Sequence, residues 1–118
     1  MNQEPKQYIV MRKDLNMRKG KMVAQGAHAV MKIVLMNLDT PAYKEWLDSR
    51  FKKICVGVKS EEELLTIYAK AEELGLPCAM TNDLGLTEFD GVETKTCCAI
   101  GPAYPDDFQG IMDDLKLL

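Results

Sequence analysis

The chain has 118 residues, 28% of them charged and 47% hydrophobic, with a formal net charge of −3. That length suits one compact domain, 1–118, able to bury a core without disulfides or metal. No apolar run reaches the roughly 20 residues that span a bilayer, and the polar lead before residues 7–10 lacks the apolar stretch of a secretory signal, so a cytoplasmic protein with no membrane partner is expected. Cys55, Cys78, Cys97 and Cys98 form no C-x-x-C pair and His28 is the only histidine. This argues against a zinc site and favours cysteines acting as small hydrophobes.

The net charge conceals an asymmetry. Residues 1–37 hold seven Lys or Arg against two acids, Glu4 and Asp14, whereas the rest holds eight against sixteen. Such a split fits either a basic face for phosphates or a solubility surface, and on its own decides neither.

In chain order, residues 7–11 read as a short apolar strand and 19–37 as a long helix. Thr40 and Pro41 supply an N-cap and a first-turn proline, opening a short helix with Tyr43, Trp46 and Leu47 inward. Residues 54–58 form a second strand. Ser60 and Glu63 make a capping box for a third helix whose apolar face is Leu64, Leu65, Ile67, Tyr68 and Ala71, ended by Gly75. Residues 77–81 form a third strand, 82–95 a long loop and 96–100 a fourth strand. Pro105 then starts a last short helix with Phe108, Ile111 and Leu115 inward. This alternation predicts an α/β fold. Helix-bearing connections allow parallel strand pairs, and the loop-only connection allows an antiparallel one, so the sheet is mixed. A loop above about 12 residues tends to be functional or disordered, and this one holds Asp83, Thr87 and Glu88 beside Gly85 and Gly91.

The first helix is the most informative element. Met22, Val23, Gly26, Ala27, Ala29, Val30, Ile33 and Val34 are expected on one broad apolar face. Lys21, Gln25, His28 and Lys32 fall in a row beside it. A solvated polar stripe would account for that row. So would an anion site, because Lys19, Gly20 and Lys21 stand where helix N–H groups and the dipole attract phosphate, with Arg12, Lys13 and Arg18 adding to the field. Likewise Asp83 and Gly85 fit simple turn chemistry, and Thr87 a loop cap.

The run Lys19-Gly20-Lys21-Met22-Val23-Ala24-Gln25-Gly26-Ala27-His28-Ala29 resembles the opening signature of the type 2 (archaeal and eukaryotic) peptidyl-tRNA hydrolases, a K-G-K run leading into an A-Q-x-x-H-A helix after an Asp-Leu pair (here Asp14-Leu15). Ser60-Glu61-Glu62-Glu63-Leu64, Asp83-Leu84-Gly85-Leu86-Thr87, Ala99-Ile100-Gly101-Pro102 and the terminal Leu115-Lys116-Leu117-Leu118 resemble further stretches of that family, in order along the chain. The resemblance implies a three-layer fold with a mixed four-stranded sheet and helices on both faces, often a homodimer, with neither metal nor cofactor. It implies a catalytic group of Lys21, Asp83 and Thr87, with Lys19, Gly20, Gln25, His28 and Thr96 binding substrate or bracing the site. The partner would be peptidyl-tRNA, cut at the ester that joins the peptide to the terminal ribose. The chain departs from the family pattern at Leu84 (usually Ala) and at Leu86 and Gly57, where basic residues are usual. The rival readings are an inactive homologue that binds tRNA or a protein, a structural α/β protein, and a thiol enzyme using Cys97 or Cys98.

Overall fold

The computed structural model describes residues 3–85 and 89–118. In order, the elements are β1 (Lys6–Arg12), α1 (Lys19–Leu35), α2 (Pro41–Asp48), β2 (Lys53–Val58), α3 (Glu61–Glu73), β3 (Cys78–Asp83), β4 (Thr94–Ala103), a 3-10 turn (Pro105–Phe108) and β5 (Lys116–Leu117). The five strands form one sheet in the order β3-β4-β1-β2-β5. β1 pairs parallel with β2, and the β1–β4, β3–β4 and β2–β5 pairs are antiparallel. β3 therefore runs in the same direction as β1 and β2 but is parted from them by β4. No helix among the described residues is long and apolar enough to cross a membrane.

Local sequence explains where the helices begin. Thr40 Oγ1 accepts from the Tyr43 N–H at 3.2 Å, with Pro41 in the first turn. Ser60 Oγ accepts from the Glu63 N–H at 3.0 Å, and Glu63 Oε1 reaches back to the Lys59 N–H at 3.3 Å. Both devices satisfy N–H groups that a helix start leaves open.

Period-two alternation along β1 feeds two separate cores. Ile9 and Met11 pack with Ala29 and Ile33 of α1, Tyr43 of α2, and Cys97 and Ala99 of β4. Val10 packs with Leu64, Ile67 and Ala71 of α3, Val56 and Val58 of β2, and Phe108 and Met112.

Several expectations need correction. The sheet has five strands rather than four, because the two-residue β5 pairs with the outer edge of β2 through Val56 and Gly57. β3 runs on to Asp83 and β4 begins at Thr94, so both ends of the expected loop are strand, held by cross-strand bonding that periodicity does not reveal. The last helix is one 3-10 turn followed by turns. Phe108 is buried there, Ile111 and Leu115 only flank the core, and Met112 takes the inner position. Leu47 and Leu65 lie at the solvent side of their helices. On α1 the buried stripe is Gln25, Gly26, Ala29 and Ile33, while Val23 and Ala27 are exposed. A helix against one face of a sheet buries a stripe narrower than its full set of apolar residues.

Candidate active site

Asp83 is the last residue of β3 and Lys21 stands in the first turn of α1. Ala79, Thr81 and Asp83 alternate onto the α1 side of β3: Ala79 joins the α1 core, and Thr81 Oγ1 donates to the Gln25 carbonyl at 3.0 Å. Asp83 thus faces the start of α1, where the Lys21 ammonium hydrogen-bonds Asp83 Oδ2. The other carboxylate oxygen accepts the Gly85 N–H at 2.6 Å. The Lys21 and Asp83 side chains are only 15% and 8% exposed.

Gly85 is held in place by its backbone. Its φ is +78°, and a Cβ there would meet the Val92 carbonyl oxygen at 2.5 Å, so only glycine fits. The Gly91 N–H closes onto the Gly85 carbonyl at 2.8 Å. The turn chemistry weighed against a functional Asp83 is therefore present, and it serves to fix the carboxylate. The Lys21 hydrogen bond and then the Gly85 N–H hold the Asp83 carboxyl below the usual carboxylate range. They outweigh desolvation, with smaller help from the charges of Lys21 and His28. Lys21 Nζ also lies 5.7 Å from the centroid of the Phe89 ring.

Beneath the pair, the β3–β4 register steps from Thr81↔Cys97 to Asn82↔Lys95. Thr96 is the extra residue of this bulge, a device that re-aims a side chain. Its hydroxyl donates to Gln25 Oε1 at 2.6 Å, with both residues buried. Gln25 is thus no part of a solvated stripe: it ties α1 to β4 one helical turn below Lys21.

The structure brings Lys21 and Asp83 together, with Gln25 and Thr96 bracing them. His28 is exposed further along α1, and Lys19 and Gly20 are exposed at the helix start. A Cβ on Gly20 would meet nothing within 4 Å. Thr87 and Leu86 lie outside the described residues. Arg12 is a brace rather than a free cation. It grips both oxygens of Asp14 at 2.6 and 3.1 Å, bonds the Lys95 carbonyl at 3.1 Å, and lies 3.6 Å from Glu61. A wider cleft of about 640 Å3, between the start of α3 and the C-terminal segment, does not include the pair.

A family model described as Peptidyl-tRNA hydrolase PTH2 matches residues 5–118. The chain belongs to that family. Proteins named peptidyl-tRNA hydrolase from Methanocaldococcus jannaschii and Sulfurisphaera tokodaii are each 44% identical to it, over 96% of this chain and 99% and 98% of the relatives. One of that name from Metallosphaera sedula is 40% identical, over 96% of this chain and 99% of the relative.

In this PTH2-family chain the thiol reading fails. Cys97 and Cys98 are fully buried, and burial pushes both thiols up, away from the reactive thiolate. Sequence reasoning missed the Gly85 N–H as a carboxylate ligand, the Phe89 ring over Lys21, and the bracing by Arg12. The first was within reach, since an Asp two residues before a Gly is an Asx-turn pattern. The other two depend on tertiary contacts alone.

Proposed function

We propose that this chain hydrolyses peptidyl-tRNA at the ester between the peptide and the terminal ribose, with Lys21 and Asp83 at the centre of the site. The observation that carries this is the covered Lys21–Asp83 pair, 62 residues apart in sequence and built from two family-like motifs of a PTH2-family chain. A water oxygen attacks the ester carbonyl carbon, the carbon–ribose oxygen bond breaks, and the ribose oxygen gains a proton. Asp83 orients the water. Its lowered basicity favours orientation over outright proton abstraction at neutral pH. Lys21 meets the charge that develops on the carbonyl oxygen. His28, exposed on the same helix, carries protons between the site and solvent. Thr87 positions water or substrate. Lys19 and Gly20 receive the nucleic acid at the helix start, and Gln25 with Thr96 sets the height of Lys21.

The same proposal takes the chain as one domain with a three-layer build. The two cores on either side of β1 support helices on both faces. Family membership supports a homodimer working in the cytoplasm without cofactor. An inactive tRNA-binding homologue is not favoured, because the pair is intact. The test is hydrolysis of N-acetylaminoacyl-tRNA by Lys21→Ala and Asp83→Ala. Each should lose on the order of 100-fold or more. Full activity in both folded variants overturns the assignment.

A further inference from the structure

Resting on that active-site reading, we propose that the peptide part of the substrate lies in the cleft between the C-terminal half of α1 and strand β3. The cleft measures about 300 Å3 and is lined by His28, Met31, Lys32, Leu35, Thr81 and Asn82. Its lining includes Asn82, the residue before Asp83, so it lies next along β3 to the ion pair.

Three observations select the peptide as occupant. First, cations cluster at the start of α1, whereas two exposed apolar side chains line the cleft. The helix start carries Arg18, Lys19 and Lys21, while the exposed positions further on include Met31 at 54% and Leu35 at 71%. A substrate that is polyanionic on one side of the scissile bond and a chain of amino acids on the other matches that polarity in one direction only. Second, Met31 and Leu35 are four residues apart and continue a surface stripe that leaves the Lys21 row at His28. From Lys21 to Leu35 the helix advances about 21 Å at 1.5 Å per residue, which an extended chain covers in roughly six residues. Third, β3 is an edge strand of the sheet, and Lys32 Nζ already caps its outward Met80 carbonyl at 2.7 Å. That cap discourages a sheet partner from another chain while leaving the apolar row beside it open. Contact through two flexible apolar side chains suits a ligand of no fixed sequence.

The test compares N-acetylaminoacyl-tRNA with a tRNA bearing a peptide of six apolar residues. It uses the Met31→Gln/Leu35→Gln variant, whose changes are at exposed helical positions. KM for the long substrate should rise by roughly fivefold to tenfold, the loss expected for two apolar contacts, with kcat and the short-substrate KM within twofold of wild type. Equal losses on both substrates, or no change on the long one, overturn the proposal. So does a fall from dimer to monomer in sedimentation with both substrates affected alike, which would give the face to a second copy of the chain. Lys21→Ala separates the levels. If it spares cleavage, the active-site reading fails and takes the cleft with it. If it abolishes cleavage while the long-to-short ratio of the double variant is unchanged, only the peptide assignment fails.

Discussion

Lys21→Met removes the ammonium of the central pair and keeps most of its apolar stem. Asp83 then retains the Gly85 N–H at 2.6 Å but loses its cation. Breaking a buried pair by removing one partner costs about 3–5 kcal/mol, and an exposed pair is worth about 0–1 kcal/mol. With side chains 15% and 8% exposed, the pair falls between those limits, and about 2 kcal/mol at pH 7 is expected. For a domain near this size that is roughly 8 °C in Tm. The pH dependence identifies the source. The folded-state carboxyl is held below its unfolded value, chiefly by Lys21. The stability this gives is therefore complete above the unfolded pKa of about 3.9 and is lost as pH falls through the lower folded value. Urea unfolding should show the wild type ahead of Lys21→Met at pH 7 and the gap closing below the ordinary carboxylate range. A gap of equal size in acid would assign the loss to packing of the lysine stem. No gap at pH 7 would mean the pair contributes nothing. Either result refutes the electrostatic reasoning.

Gly85→Ala forces a Cβ to within 2.5 Å of the Val92 carbonyl oxygen at a φ of +78°. It should cost tenfold or more in kcat/KM by displacing the N–H that holds Asp83, a loss on the order of one hydrogen bond to a charged group, whereas Gly75→Ala, also at positive φ but in open space, should affect only stability. Thr96→Val leaves the buried Gln25 Oε1 without its donor and should lower unfolding free energy by about 1–3 kcal/mol in a denaturant titration. Gly20→Ala meets no atom of the protein and should raise stability by up to about 1 kcal/mol while raising KM for the tRNA substrate, if nucleic acid approaches that backbone.

Most elements were legible because their signals are local. Thr40-Pro41 and Ser60 with Glu63 mark helix starts whatever the rest of the chain does, and Gly75 marks an end. β5 was not legible: two residues carry no period, and Lys116 and Leu117 are strand only because the β2 edge is there to receive them. The reach of β3 to Asp83 was hidden for a related reason. Asn82 and Asp83 have poor strand propensity, and β4 together with the Thr96 bulge holds them extended. At the site, the row Lys21, Gln25, His28 and Lys32 is legible in its spacing but not in its environments. Tertiary structure gives it four: a paired cation, a buried brace, an exposed imidazole and a cap on a strand edge.

The pairing of Lys21 bears on how tRNA is attracted. The sequence suggested Lys21 as a phosphate ligand, yet its charge is balanced by Asp83, as that of Arg12 is by Asp14. The long-range field at this end of the molecule then falls to Lys13, Arg18 and Lys19, all exposed. Each phosphate neutralised contributes roughly 0.7 to 0.9 to the slope of log K against log salt. Lys19→Ala should therefore flatten that slope by about one unit with little change in kcat. Lys21→Met should abolish turnover and leave the slope of binding nearly unchanged, because it removes a cation already spent on a carboxylate. If Lys21→Met flattens the slope as much as Lys19→Ala does, the pair opens on binding and Lys21 grips phosphate. The division between attraction by the helix start and chemistry by the pair would then be wrong.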